Sequence, residues 1–270
     1  MKAIYQPKGK AQEYNQWAVN FFNGCSGKCT YCYNRKGRSA KLLGKDEPTI
    51  KKSLIDEKTA INTFEKEVQK YLPHLQEHGL FFNFVSDPFL HETIRLTNAA
   101  LVCLNGNGIT GILLTKQAGW IDRLDAISIA SDHAVGFTLT GHDELEPGCS
   151  TNAERIQAMK SLHQIGALTW ASIEPVIDFK SSLEMIDKTS SFCKHYKIGL
   201  QSGVQYDKGQ LAEFVEDVNN LISYDNNRNG SKITLYWKDS VSRQLSTGDK
   251  HLTFLTEEPF IVNTDYKFWK

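Results

Sequence analysis

Short apolar runs alternate with amphipathic stretches along this chain of 270 residues. The apolar runs predict β-strands, because each is brief and is bounded by polar or glycine-containing segments. They cover residues 17–22, 80–85, 109–114, 134–140, 168–173 and 198–201, and a seventh covers 233–237. Apolar residues at helical spacing predict helices over residues 57–72, 92–104, 151–165, 181–195 and 210–222. We expect Asp56 to cap the first helix, Pro73 to end it, and Thr151 with Glu154 to form a capping box.

This order of strands and helices indicates an α/β fold with parallel strands joined by right-handed crossovers. Six strands, five of which are followed by a predicted helix, and a seventh strand near the end predict a partial (β/α)6 barrel. A doubly wound open sheet is the alternative, since strand order cannot be read from the sequence. We expect a single domain over residues 1–270, with its core at about 15–240 and a C-terminal extension at about 241–270. The run DNNRNGS at residues 225–231 predicts a turn.

The composition narrows the class of protein. Hydrophobic residues make up 40% of the chain and charged residues 23%, which excludes a disordered or fibrous protein. No window is apolar enough for a membrane span, and the polar N-terminus lacks the apolar core of a signal peptide. We therefore expect a cytoplasmic protein. The 31 basic and 31 acidic residues balance, which argues against a protein that coats nucleic acid regardless of sequence. A basic segment at residues 28–52 is either a solvated loop or an anion-binding face.

Barrel enzymes place their chemistry at the carboxyl ends of the strands. Lys116 and Glu174 adjoin two of the apolar runs, where a charge requires a partner or a ligand. His142 follows the fourth strand and is the histidine that we expect to act as an acid or base. Trp170, on the fifth strand, could stack on a nucleobase or belong to the core.

Three of the six cysteines lie within eight residues, in the run CSGKCTYC at residues 25–32. Three thiolates at this spacing, on a glycine-containing loop after the first strand, can bind three irons of a four-iron cluster. Such clusters usually take four cysteines, so one iron would keep an open position for a substrate or cofactor. The alternatives are a zinc site completed by His74 or His78 and a plain electron-transfer cluster.

This C-x3-C-x2-C loop, with Tyr31 just before its last cysteine, resembles the signature of the radical S-adenosylmethionine (SAM) superfamily. Further segments resemble the branch related to spore photoproduct lyase, commonly labelled DNA repair photolyase, and the likeness covers roughly residues 5–240. These segments are residues 7–14, 86–88, 114–116, 146–147 with Arg155, and 172–177. The resemblance implies a partial barrel in which a reduced [4Fe-4S] cluster cleaves SAM. The products would be methionine and a 5′-deoxyadenosyl radical that abstracts hydrogen from a substrate.

The same resemblance implies roles for individual residues. Cys25, Cys29 and Cys32 would bind the cluster, and a reductant such as flavodoxin or ferredoxin would supply the electron. The SAM-binding set would be Ser86, Asp87, Lys116, Thr138, Thr140 and Tyr31. The catalytic set would be Tyr31, Tyr33 and Glu174, to which His142 is added because of its place at the end of a strand. For residues 86–88, the alternative is a turn in which the Asp side chain bonds to backbone.

One position departs from the pattern of this branch. Its lesion-repairing lyases carry a cysteine just ahead of the Ser-Asp pair, where this chain has Phe84. Cys149 lies in a loop after the fourth strand and could approach the site. We expect a radical SAM enzyme that acts on nucleic acid. The alternatives are a small-molecule or peptide substrate and a non-catalytic iron–sulfur sensor or electron carrier.

Overall fold

The computed structural model describes residues 2–121, 132–229, 232–245 and 267–269. Within them lie ten strands: β1 (Ile4–Tyr5), β2 (Ala18–Val19), β3 (Phe22–Asn23), β4 (Thr49–Ile50), β5 (Leu80–Phe82), β6 (Gly111–Thr115), β7 (Ala134–Thr138), β8 (Leu168–Val176), β9 (His195–Leu200) and β10 (Thr234–Trp237). Eight of them form one sheet in the order β1-β2-β5-β6-β7-β8-β9-β10, and β3 pairs with β4 separately.

The main sheet is an open, mostly parallel one. β1 is antiparallel to β2, and every later neighbouring pair is parallel. β1 and β10 are the two edges, so the sheet does not close. Seven parallel strands in chain order confirm the predicted partial barrel, including its seventh strand, because a doubly wound sheet would reverse its strand order.

The described residues contain seven α-helices: α1 (Ala40–Leu43), α2 (Glu57–His78), α3 (Ile94–Gly106), α4 (Asn152–Gln164), α5 (Phe179–Thr189), α6 (Lys208–Asn229) and α7 (Asp239–Leu245). Both predicted N-terminal signals are present. Asp56 accepts a hydrogen bond from the Thr59 backbone, and Thr151 and Glu154 form the capping box of α4. In this part of the chain, every helix is too short or too polar to cross a bilayer.

The inner face of the sheet changes from apolar to polar along the strands. Five neighbouring strands of the main sheet, β2, β5, β6, β7 and β8, each contribute one side chain to a buried cluster with Phe268, which we call the barrel floor. These side chains are Ala18, Phe81, Ile112, Ala134 and Trp170. A Cβ on Gly136 would lie 2.2 Å from the Trp170 ring, so only glycine lets this ring fit. Trp170 is therefore a core residue. Further along the strands, toward their carboxyl ends, the inner positions become polar, and this edge is the barrel mouth.

Four element boundaries differ from the sequence predictions. α2 continues through Pro73 to His78, because burial of Leu75 offsets the backbone bond that proline removes. The apolar run at 17–22 divides between β2 and β3 at Asn20, whose side chain bonds to Tyr5 and to the Phe84 backbone instead.

The other two differences lie near β9 and β10. His195 begins β9 rather than ending a helix, since it pairs with Trp170 on one side and Thr234 on the other. Residues 225–229 are the last turn of α6, not a turn between elements. There the Asn226 amide bonds to both the N–H and the carbonyl of Ile233, which anchors the helix to the start of β10. Most of the predicted C-terminal extension, residues 246–266, lies outside the described residues.

Candidate active site at the barrel mouth

The cysteine loop lies over the barrel mouth and is held there by backbone bonds. The Cys25 N–H donates to Lys45 O over 2.9 Å, and the Thr30 N–H donates to Leu145 O, beyond β7, over 2.9 Å. After the loop, the Asn34 amide bonds to the Phe84 and Val85 carbonyls beyond β5. The loop is therefore anchored to segments that follow two different strands.

The three predicted cluster ligands are partly exposed free thiols. Among the described residues, no three histidine, cysteine or acidic side chains are gathered tightly enough to bind a single metal ion. Thiols from two loops come together around Gly27. A Cβ there would lie 3.1 Å from Cys149 Sγ, 3.4 Å from Cys25 Sγ and 3.9 Å from Cys29 Sγ. Thiols arranged around a residue without a side chain fit an iron–sulfur cluster, whose ligands are thiolates.

Tyr31 connects the cysteine loop to a buried ion pair. Its hydroxyl donates to Glu146 Oε1. The other oxygen of Glu146 accepts from Arg155 Nη2 over 2.5 Å, and both charged side chains are 0% exposed. Burial raises the pKa of the Tyr31 phenol, and Lys116, 5.6 Å above its ring, opposes that shift. Tyr31 is thus neutral and fixed in orientation next to two of the cysteines.

Asp87 ties the end of β5 to the end of β6. Its carboxylate accepts from the Thr115 hydroxyl at 2.7 Å, from the Lys116 N–H at 2.7 Å and from the Phe89 N–H at 2.9 Å. Both of its oxygens are therefore engaged within the chain. Ser86 differs, because its hydroxyl is buried and has no hydrogen-bond partner among the described residues. A buried hydroxyl without a partner is costly, so it marks a place where a ligand can bond.

Thr138, Thr140 and His142 follow one another at the end of β7. Both threonines are buried, and the Thr140 hydroxyl accepts the His142 N–H over 3.2 Å. Both ring nitrogens of His142 are engaged, with Asp178 Oδ2 at 2.5 Å and Glu144 Oε1 at 2.8 Å. Burial alone would lower the pKa of His142, but these two carboxylates outweigh it and raise the pKa. The geometry gives His142 a bridging position between two loops, and acid–base chemistry there stays a prediction.

Glu174 is part of a polar network across the mouth that sequence reasoning missed. Its carboxylate accepts from Lys238 Nζ at 2.8 and 2.9 Å and from the Tyr14 hydroxyl. Lys197 Nζ donates to the Glu13 carbonyl at 2.5 Å and to the Tyr14 carbonyl at 3.2 Å. Burial, with a further contribution from Lys238, lowers the pKa of Lys197 to about 7.

The signal for this network was weak in the sequence. Lys197 lies between Tyr196 and Ile198 in β9, which is mostly apolar, so it alternates onto the inner face. Tyr14 belongs to the segment that resembles the lyase branch, but nothing in the sequence indicated that it would reach β8. The network places the N-terminal segment against the last three strands.

A cleft of about 670 Å³ opens beside this network. The cleft is enclosed by the N-terminal segment, the loop after β9, and α7. Its lining residues include Lys10, Glu13, Gln201, Tyr236 and Asp239. Because the N-terminal segment leads into β2 and α7 follows β10, the cleft lies where the sheet fails to close. The cleft adjoins the network through Glu13, whose Oε2 lies 3.6 Å from Lys238 Nζ.

The basic segment and Tyr33 present an exposed surface next to the cysteine loop. Seven of its cationic side chains are exposed: Lys28, Arg35, Lys36, Arg38, Lys41, Lys45 and Lys52. Arg35 pairs with Asp46. The Tyr33 side chain is 60% exposed, although its hydroxyl donates to the Phe84 carbonyl. Exposed cations can contact the phosphates of a nucleic acid, and an accessible aromatic ring can stack on its bases.

Comparisons with known proteins agree with this fold. No protein-family model matches the sequence. An uncharacterized protein of Methanocaldococcus jannaschii is 24% identical over 194 residues, which cover 67% of this chain and 68% of that protein. Streptococcus suis SuiB bound to S-adenosylmethionine superposes with a TM-score of 0.55 at 13% identity, covering 82% of this chain and 49% of SuiB. The chain thus spans about half the length of SuiB.

Spore photoproduct lyase is a second structural relative. A variant of it superposes with a TM-score of 0.59 at 10% identity, covering 83% of this chain and 76% of the lyase. Its complex with dinucleoside spore photoproduct gives a TM-score of 0.52 at 13% identity, with 83% and 64% covered. The chain therefore has the fold of radical SAM proteins, and the resemblance predicted from the cysteine loop is confirmed at the level of the fold.

Proposed function

We propose that this protein is a radical SAM enzyme in which Cys25, Cys29 and Cys32 hold a [4Fe-4S] cluster. The observation that carries the proposal is the cysteine loop itself, placed at the mouth of a fold shared with SuiB bound to S-adenosylmethionine. The reduced cluster would supply the electron that cleaves SAM to methionine and a 5′-deoxyadenosyl radical. A flavodoxin or ferredoxin is the proposed reductant, and the cytoplasm the proposed location.

The residues around the loop would position SAM. Ser86 offers its unpartnered buried hydroxyl to the cofactor, while Asp87 holds the backbone of Lys116 in place. The Lys116 ammonium lies over the Tyr31 ring, where it could face the SAM carboxylate. Thr138 and Thr140 would line the ribose side. Glu174, held by Lys238 and Tyr14, would face the substrate from the opposite wall of the mouth.

The first test is anaerobic reconstitution with iron and sulfide, followed by SAM and dithionite, with chromatography for 5′-deoxyadenosine. We expect 5′-deoxyadenosine from the wild type and none from Cys29→Ala, which loses one cluster thiol. Ser86→Ala should assemble the cluster and bind SAM more weakly. If a cluster assembles but SAM neither binds nor shifts the electron paramagnetic resonance of its reduced form, the protein is instead an iron–sulfur sensor or electron carrier.

For the substrate we propose a nucleic acid, and a small molecule or peptide is the alternative. The exposed basic segment beside Tyr33 supports this choice, as does the lyase complex with a dinucleoside photoproduct. Phe84 stands where lesion-repairing lyases have a cysteine, so the proposal covers modification of nucleic acid as well as repair.

Salt dependence tests this choice of substrate. We expect the affinity for a single-stranded oligonucleotide to fall with salt, with a log–log slope of about −0.7 for each phosphate contact. Lys36→Ala with Arg38→Ala should make that slope shallower by about 1.4 if both side chains contact phosphates. Lys58→Ala with Lys66→Ala removes two exposed charges from α2 and is the matched control. If the salt slope of oligonucleotide affinity changes equally in the two double variants, the result would argue for a substrate other than nucleic acid.

A further inference from the structure

A fourth thiol lies against the cysteine loop, brought there from 120 residues away in the sequence. Cys149 Sγ is 3.8 Å from Cys29 Sγ and 3.5 Å from the Gly27 carbonyl oxygen. The Cys29 thiol is 3.8 Å from that same oxygen. Cys149 is partly exposed. It therefore shares the space around Gly27 with two of the three proposed cluster ligands.

The backbone builds this contact. The Gly148 N–H donates to Gly27 O over 3.1 Å, and the Cys149 N–H donates to Glu146 O over 3.0 Å. A Cβ on Gly148 would lie 2.1 Å from Ser26 O, so the two loops approach as closely as a glycine allows. Glu146, which begins this turn, is fixed by its buried pair with Arg155. Cys149 is thus held in place beside the loop rather than swinging freely.

Thiolates are the usual ligands of four-iron clusters, and four of them is the usual number. The loop provides three, and the structure places the fourth thiol within contact of the second. We propose that Cys149 is an exchangeable fourth ligand of the cluster, bound while SAM is absent and displaced when SAM binds. The inference rests on the proposed function. On displacement the Cys149 thiolate would take up the proton that the α-ammonium group of SAM loses, and the resulting amino group and the carboxylate of SAM would occupy the iron position that the thiolate leaves.

Two consequences separate this role from that of an ordinary thiol. The cluster should have four thiol ligands before SAM is added, which protects its exposed iron from water and oxygen. SAM must also compete with Cys149. Its apparent affinity is therefore its intrinsic affinity multiplied by the fraction of protein in which that thiol is not bound to the cluster. Removing the thiol should therefore tighten SAM binding while making the cluster less durable.

The test compares anaerobically reconstituted wild type with Cys149→Ala, Cys149→Ser and Cys103→Ala. Cys103 is another partly exposed thiol, on α3, and its substitution is the matched control. The measurements are iron and sulfide per chain, the electron paramagnetic resonance of the reduced cluster without SAM, and SAM affinity by calorimetry. Circular dichroism shows whether each variant is folded. If Cys149→Ala does not fold, Cys149→Ser serves in its place, because serine is close to cysteine in size.

We expect both Cys149 variants to assemble the cluster with an altered SAM-free resonance and to lose it faster in air. If Cys149 is bound in about nine-tenths of the SAM-free protein, its removal tightens SAM binding about tenfold. Cys103→Ala should match the wild type in all three measurements. An unchanged resonance together with a SAM affinity within twofold of the wild type would overturn the proposal. If the wild-type cluster does not bind SAM at all, the proposed function fails, whereas the SAM-free resonance still reports on Cys149.

Discussion

Arg155→Met would remove the charge that pairs with Glu146, the residue that accepts the Tyr31 hydroxyl of the cysteine loop. The Arg155 guanidinium donates to Glu146 Oε2 at 2.5 Å, to Ser150 O at 2.8 Å and to Thr138 O at 2.8 Å. Methionine keeps much of the buried apolar volume but leaves the Glu146 carboxylate without its counter-charge. Breaking a fully buried pair in this way costs about 3–5 kcal/mol. For a chain of this size, that lowers Tm by about 6–20 °C.

Arg95→Met is the matched control. Arg95 Nε lies 3.2 Å from Glu57 Oε2, but the Arg95 side chain is 85% exposed. Exposed pairs contribute about 0.2–1 kcal/mol, so the control should shift Tm by no more than about 4 °C. Thermal unfolding followed by circular dichroism measures both variants.

A double variant tests the reason for the effect. Replacing both partners of a buried ion pair by apolar residues is often neutral or stabilising. Arg155→Met combined with Glu146→Leu should therefore melt above Arg155→Met alone, even though it carries more changes. The reasoning is refuted if the Tm of Arg155→Met lies within about 2 °C of the Tm of Arg95→Met, which is about the precision of such a comparison. It is also refuted if the second substitution lowers Tm further.

Two further predictions concern stability. Burial lowers the pKa of His133 to about 4. Below about pH 6.5 the unfolded chain therefore takes up a proton that the folded chain does not, so the folded state becomes less stable as the pH decreases. Between pH 7 and 5 this lowers the free energy of unfolding by about 2 kcal/mol. His133→Asn can still accept the Gly111 N–H, and its Tm should fall less than that of the wild type between these two pH values. An equal fall in Tm for the two proteins would mean that other groups cause the pH dependence. Thr151→Ala removes the cap of α4 and should cost about 1 kcal/mol, whereas Thr151→Ser should keep most of it; equal Tm values for the two variants would show that the cap contributes nothing.

The sequence was most informative where the chemistry is local. The three loop cysteines are close in sequence, and the capping box of α4 spans four residues, so both could be located without knowing the fold. The parallel strands followed from the order of elements, because crossovers of one hand leave few arrangements. Pro73 shows the limit of a local rule, since burial of Leu75, two residues further on, depends on packing that the sequence does not display.

The rest of the site is set by contacts between distant segments. Cys149 meets Cys29 only because the loop after β7 folds onto the loop after β3. Lys197 was placed outside a strand, since the strand around it begins at His195, a residue that local spacing assigned to a helix. The partners of Glu174 come from the N-terminal segment and from Lys238, the residue that follows β10, and the pairing of strands brings them together. A charge beside an apolar run indicated that partners were needed, but not which ones.

The barrel floor has a consequence for how the chain folds. Phe268 stacks on His195 at 4.1 Å and packs against Trp170, and the same cluster includes Ala18 from β2. Contacts between such distant parts of the chain close late, because long loops must be ordered first. Until then the apolar floor is open to water, and such intermediates associate with one another. Refolding from denaturant should therefore recover more monomer at low protein concentration, and the recovered fraction should track the burial of Trp170.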